Sequence, residues 1–257
     1  MLLPNLQSGL VLSYSDLAEA GLDGINHLML AEMLLFASYL AYSLSSGYVR
    51  VLAFFVVAAM MFAGGGRASF YIGVGSIVVY ELLFVTSRWR VAAFVLLGSA
   101  LGALLALWLN IDLEQVEKML FLRGLESDNS FLERSDALER GLRMLPAQAA
   151  IGDPGLIVKE YGSIGIYIHN LLSAWQFFGF LPFAGLLAFL LYLVPRVQSF
   201  AKADQSPMAT FGALCFIYAV IGSLVAKYVG FFYLWFALGF WVSLLRRPNR
   251  RPVSTSR

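Results

Sequence analysis

Seven apolar runs, separated by short polar breaks and one long polar segment, dominate the pattern along the chain. A helix needs roughly 20 mainly apolar residues to cross the hydrocarbon core of a bilayer. The candidate spans lie at about 27–47, 50–66, 68–87, 90–109, 168–194, 208–226 and 229–245. This pattern predicts an all-α fold, a polytopic transmembrane helix bundle of about seven spans that forms a single membrane domain over residues 1–257.

The basic residues between the spans predict how the bundle is oriented, because short loops rich in Lys and Arg stay in the cytoplasm. The basic positions in question are Arg50, Arg88, Arg90, Arg196, Lys202, Arg246, Arg247, Arg250 and Arg251. One topology puts all of them inside. The same topology puts the N-terminus, the corner at 64–67 and the long segment 110–167 outside. That segment has ten acidic residues against six basic ones, so it lacks the cytoplasmic signature.

The external loop 110–167 is too long for a simple connection, and loops of this length are often functional. Four apolar residues recur in it at helical spacing, namely Phe131, Leu138, Leu142 and Leu145, and Pro146 follows them. We therefore expect the loop to carry an amphipathic helix that lies on the outer membrane face or caps the bundle.

Composition agrees with the pattern, since 60% of the residues are hydrophobic, only 13% are charged and the mean hydropathy is +0.75. About a quarter of a soluble domain is charged. The lipid bilayer is therefore an expected partner, and nucleic acid is not.

The single cysteine, Cys215, excludes an internal disulfide and a cysteine-based zinc site. The first residues lack a basic region followed by an apolar one, so they do not predict a cleavable signal, and the chain is interpreted as part of a longer bundle or a short relative of one.

Two arginines on the outer side are candidates for binding an anion. Arg67 follows three glycines at the outer end of span three, where a guanidinium and exposed amides could hold an anionic group together. Arg134 lies on the loop helix, and no acidic residue stands three or four positions from it. The alternative for Arg67 is a side chain that extends to the lipid headgroups. The alternative for Arg134 is an acidic partner that is distant along the chain.

Two histidines on the outer side are candidates for a general base. His169 and Asn170 open the fifth apolar run, and an imidazole of near-neutral pKa can take a proton from an alcohol. Asn170 could hold the ring or a sugar hydroxyl. His27, beside Asn26 at the head of span one, is the second candidate base. Each histidine could also simply mark the water line.

Three stretches resemble the O-antigen ligase/polymerase family of bacterial multi-span glycosyltransferases. "GGGRASFYIGVGSIVVY" is similar to the family's Arg-containing opening of a span. "ERSDALERGLRMLPAQAAIGDPG" is similar to its Arg-led loop helix, and "HNLLSAWQFFGFLPFAGLLAFLL" to its His-Asn element. The resemblance covers roughly residues 60–195. The chain lacks the family's usual aromatic residue after the loop arginine, where Leu138 stands nearby, and it is shorter than most members.

The resemblance implies a metal-independent enzyme of the bacterial inner membrane without a cofactor, with the long loop periplasmic and the C-terminus cytoplasmic. Its donor would be a glycan on undecaprenyl diphosphate, and its acceptor a hydroxyl of another glycan or of the lipid A core. Arg67 and Arg134 would hold the diphosphate, and His169 would serve as the acceptor base. Whether it is a ligase or a polymerase stays open.

Two other functions compete with the enzyme. A polysaccharide transporter or flippase would need charged residues near the middle of spans, where only Glu32 and Glu81 are acidic candidates. A non-catalytic assembly subunit would make the grouping of Arg67, Arg134 and His169 accidental.

Overall fold

The structure is a computed structural model that describes residues 27–63, 67–85, 129–148, 151–152, 159 and 167–246. Every regular element in these ranges is helical, which confirms the predicted all-α class. The elements are α1 (His27–Leu44), α2 (Gly47–Ala63), α3 (Arg67–Tyr80), α4 (Asn129–Met144), α5 (Ser173–Phe178), α6 (Phe180–Ala203), α7 (Pro207–Val225) and α8 (Phe232–Leu245). A π-helical turn, Glu81–Val85, extends α3, and a 3-10 turn, Leu145–Gln148, follows α4.

Three of the described helices are long and apolar enough to cross a membrane: Ala68–Val85, Phe180–Ala203 and Pro207–Val225. They correspond to predicted spans three, five and six. The apolar stretches of α1, α2 and α8 are shorter and correspond to spans one, two and seven. Predicted span four, 90–109, lies outside the described residues. The chain therefore has the helices of a membrane protein, and the count of seven spans stays a prediction.

The buried helix α7 is the centre of the bundle, with α1, α3, α6 and α8 packed around it. Its start follows from the sequence, because Ser206 Oγ accepts a hydrogen bond from Ala209 N at 3.3 Å and Pro207 takes the first position. Tyr80 of α3 is hydrogen-bonded to Thr210 near that start. Helices in a bilayer associate through close packing and such hydrogen bonds rather than through exclusion of water.

The contacts along α7 set the directions of its neighbours. Ser69 at the start of α3 is bonded to Tyr218 toward the end of α7, so these two helices are antiparallel. Trp241 of α8 donates to Gly212 O at 2.9 Å, whereas Tyr233 lies against Tyr218, so α8 is antiparallel to α7 as well.

Two ends of the bundle follow from these directions. At one end α1, α3 and α8 begin and α7 terminates. Glu32 of α1 forms an ion pair with Lys227 at this end. Ser173 Oγ accepts a hydrogen bond from Val229 N at 2.7 Å at the same end. Since His169 precedes Ser173 by one turn, we call this the His169 end. We call the opposite end, where α8 terminates, the Arg246 end.

The Arg246 end contains the described basic residues that the positive-inside pattern grouped together. Arg50 at the start of α2 lies 4.0 Å from the buried Glu81, whose carboxylate accepts a hydrogen bond from Tyr42. Lys202 and Arg246 stand at the last turn of α6 and the end of α8. These described basic residues therefore lie at one end of the bundle, and the side of the membrane that this end faces stays a prediction.

The predicted boundaries of span five, 168–194, are wrong. The run is broken at Gly179, whose φ of 93° and ψ of 173° belong to a region open almost only to glycine. The long helix α6 begins after that break and continues through Pro195, so Arg196 and Lys202 lie in a helix and not in a loop. The apolar count could not show the break, because the residues on both sides of Gly179 are equally apolar.

The expected helix in the external loop is present as α4, and of the four apolar residues that predicted it only Leu145 is buried in the bundle. The buried positions are Ala137, Gly141, Met144 and Leu145. Phe131 and Leu142 are 43% and 46% exposed. The small residues Ala137 and Gly141 form the contact with the bundle because a close approach needs small side chains, and a count of large apolar residues overlooks them.

We predict that Gly179→Ala lowers the free energy of unfolding by about 1–3 kcal/mol, because alanine does not tolerate this backbone conformation. Gly185→Ala in α6 is the matched control, since nothing lies within 4 Å of the added methyl group and alanine favours a helix. Thermal melting of the purified protein in detergent compares the two variants. Equal melting temperatures for both would contradict the strain at Gly179.

Candidate functional site

Residues 167–172, which precede α5, form a tight turn at the His169 end. Asn170 builds this turn, because its Oδ1 accepts a hydrogen bond from Leu172 N at 2.9 Å. Its main-chain oxygen accepts from Ser173 N at 3.0 Å and from Ser173 Oγ at 2.7 Å. These bonds fix the chain immediately after His169. The side-chain carbonyl of Asn170 thus has a local role, and its NH2 group is the part that remains for a ligand.

His169 belongs to a stack of three rings. Its imidazole packs on Tyr167, with ring centroids 4.5 Å apart and planes 24° apart. Tyr167 in turn contacts Tyr228, also at 4.5 Å between centroids. The half-buried imidazole has a buried Nδ1 atom with no hydrogen-bond partner among the described residues. Such an atom is unusual in a folded protein.

The loop helix α4 is fitted closely against this turn. A Cβ atom on Gly141 would lie 2.3 Å from Cγ1 of Ile168, so only glycine permits the observed spacing. Ile168 N donates to Gln176 Oε1 at 2.9 Å, which ties the turn to α5. Arg134, two helical turns before Gly141, is thereby held near the three-ring stack.

A second close contact supports the break that follows α5. A Cβ atom on Gly152 would lie 2.5 Å from the backbone nitrogen of Gly179 and 2.6 Å from the carbonyl atoms of Phe177. The backbone of the external loop therefore packs directly on the backbone of the break.

The charges around His169 keep its ring neutral. Burial lowers the pKa of His169 below its usual 6.5, and the positive charges of Arg134 and Lys227 lower it further. The backbone of Tyr167 acts in the opposite direction. Burial also raises the pKa of Tyr167, and Tyr228 adds to this rise, while Arg134 opposes it. At neutral pH the site therefore combines an uncharged base with nearby cations.

Lys227 is a site residue that the sequence-based reasoning missed. It forms an ion pair with Glu32 of α1 and lies 5.1 Å above the ring of Phe231. Its position in the sequence could have identified it. Lys227 stands in the short outer connection between predicted spans six and seven, where the positive-inside pattern does not expect a cation. Tyr167 and Tyr228 were missed as well, since tyrosines at span ends are common.

The predicted site residues are brought together only in part. His169, Asn170 and Arg134 lie in one region. Arg67 begins α3 and His27 begins α1, both at the His169 end, but their side chains lie outside the described part of the structure. The two other arginines of α4 have local acidic partners, as expected: Arg140 pairs with Asp136, and Arg143 with Glu139.

Comparison with known proteins adds no family to this geometry. No protein-family model matches the chain, and no curated protein or solved structure matches it.

We predict that Arg134→Gln raises the pKa of His169, because the variant removes a positive charge that disfavours the imidazolium. The chain has two histidines, so a His27→Gln background leaves His169 as the only imidazole to follow by NMR titration. Arg143→Gln, which removes a charge already paired with Glu139 on the same helix, should leave the pKa unchanged. Equal values in all three proteins would contradict the proximity of Arg134.

Proposed function

We propose that the chain is a membrane glycosyltransferase of the O-antigen ligase/polymerase type. It would transfer a glycan from undecaprenyl diphosphate to a sugar hydroxyl at the periplasmic face of the bacterial inner membrane. The observation that supports this proposal most directly is the half-buried imidazole of His169, whose Nδ1 has no hydrogen-bond partner among the described residues and whose pKa is lowered. A neutral imidazole with a free nitrogen, placed beside cations, suits the deprotonation of an alcohol.

The proposed reaction uses the residues as follows. The neutral imidazole of His169 accepts the proton of the acceptor hydroxyl. The acceptor oxygen forms a bond to the anomeric carbon of the donor, and the bond from that carbon to the diphosphate oxygen breaks. The diphosphate leaves with the electron pair, and Arg134 stabilises the charge that develops on it. Arg67, at the start of α3, is proposed as the second cation.

The electrostatics of the site supports both roles at once. The positive charge of Arg134 that would hold the diphosphate also disfavours protonation of His169. A base that is neutral before the reaction can accept a proton, and a cation that is already in place needs no rearrangement as charge develops. Lys227 adds to the same field, although its ion pair with Glu32 reduces its effect at longer range.

The proposed orientation places the His169 end in the periplasm and the Arg246 end in the cytoplasm. Arg50, Lys202 and Arg246 at the second end support it, since basic residues prefer the cytoplasmic side. The acidic candidates for a transport pathway have partners on other helices: Glu32 pairs with Lys227, and Glu81 accepts from Tyr42 near Arg50. Such ties suit helix packing better than an ion pathway, so we favour the enzyme over the transporter.

We predict that His169→Ala lowers the transfer rate at least 100-fold, because it removes the general base. The assay uses purified protein in lipid vesicles with a glycan on undecaprenyl diphosphate and a sugar acceptor, and it measures the release of undecaprenyl diphosphate. His27→Ala is assayed in parallel. Activity lost in His27→Ala but kept in His169→Ala would assign the base to His27, and no release by the wild type would favour the transporter or the assembly subunit.

We also predict that Arg134→Lys reduces the rate roughly 10- to 100-fold, since an ammonium does not replace the two parallel hydrogen bonds of a guanidinium to a phosphate. The matched control is Arg143→Lys, whose side chain is exposed and paired with Glu139 on the same helix. A rate in Arg134→Lys that equals that of the control would show that Arg134 does not hold the donor.

A further inference from the structure

A groove of about 900 Å³ opens between α6 and α8 at the Arg246 end, away from the site around His169. Its size is in the range of pockets that hold small ligands. The helix α6 ends just before α7 begins, at the end where α8 terminates, so α6 and α8 run in the same direction. Phe200 of α6 contacts Trp241 of α8 with ring centroids 5.6 Å apart. The walls are mainly apolar and consist of Phe189, Leu193, Phe200, Val242 and Leu245.

Arg196 lies on the wall of this groove at the depth where headgroups begin. The 16 residues of α6 before it, 180–195, contain no charge, and at 1.5 Å per residue they span about 24 Å, most of a hydrocarbon core of about 30 Å. The exposed guanidinium lies 3.5 Å from the ring centroid of Tyr192 and donates to Tyr192 O at 3.0 Å. The side chain is thus turned back toward the membrane and not outward to water.

Arg246 supplies a second cation on the same groove. It follows the last turn of α8, where the helix dipole favours a positive charge. Neither Arg196 nor Arg246 has an acidic partner within the described ranges, and Asp204, the nearest acidic residue along the chain from Arg196, accepts a hydrogen bond from Ser206 N. Arginines at the membrane boundary attract anionic headgroups.

We propose that this groove binds one anionic phospholipid of the leaflet at the Arg246 end. Its phosphate lies in the half of the groove nearest the Arg246 end, whose wall Arg196 and Arg246 both line, and an acyl chain follows the apolar wall toward Phe189. Phe189 precedes Arg196 by seven residues, or about 10 Å of helix, so the wall extends into the membrane below the cation. A free phosphate would leave this apolar wall uncovered. A zwitterionic lipid would bring a positive group of its own next to the arginines and would therefore be attracted less. Basic pockets between membrane helices are known to take anionic headgroups.

The test is native mass spectrometry of the full chain in detergent, titrated with phosphatidylglycerol and, separately, with phosphatidylcholine. We expect the wild type to retain one phosphatidylglycerol in preference to phosphatidylcholine. Arg196→Gln should weaken this binding about five-fold, as should Arg246→Gln, with a larger loss for the two together. Both side chains are exposed, so these variants are expected to fold.

The matched control is Lys202→Gln, which removes an exposed cation from the last turn of the same helix, outside the groove. Phosphatidylglycerol binding that falls equally in Lys202→Gln would overturn the proposal in favour of general charge attraction. Equal retention of phosphatidylcholine by the wild type would also overturn it. So would displacement of the lipid by millimolar inorganic phosphate, since that result would mean the groove recognises the phosphate alone. Inorganic phosphate at that concentration should leave the bound lipid in place.

Discussion

The break in the helix at Gly179 is the constraint on which the rest of the His169 end depends. A chain that leaves the helical conformation needs other partners or cover for its backbone groups. Gly152 of the external loop supplies that cover, and Gly141 lets α4 approach the preceding turn. The loop is therefore part of the bundle here, and its helix α4 brings Arg134 close to His169.

The helices themselves were predictable, because apolar runs of span length have few other solutions. The ends of α3 and α7 fall close to the predicted ones, and the presence of a helix in the external loop followed from its apolar spacing. The break at Gly179 was not predictable, since nothing in composition distinguishes a glycine that continues a helix from one that ends it. The small residues of α4 that contact the bundle were not predictable for a related reason, because close packing selects small residues that hydropathy ignores.

The site, like the fold, was predictable from the sequence only in part. His169 and Arg134 were recognisable as polar residues without local partners at an apolar boundary, and the structure places them in one region. Lys227 and the stack of His169 on Tyr167 depend on contacts between segments distant along the chain, which spacing does not contain. Asn170 was chosen for a possible contact with a ligand, whereas the structure also gives it the task of shaping the turn.

The ion pair between Glu32 and Lys227 also bears on how the chain is made. The two residues are 195 positions apart, so at about 5–20 residues per second roughly 10–40 s pass between their synthesis. During that interval Glu32 of α1 lacks its partner Lys227, and the contacts of α1 with α7 cannot all form. The hairpin of α7 and α8 thus completes the packing of α1, and a ribosome pause before it would lengthen the life of the incompletely packed chain.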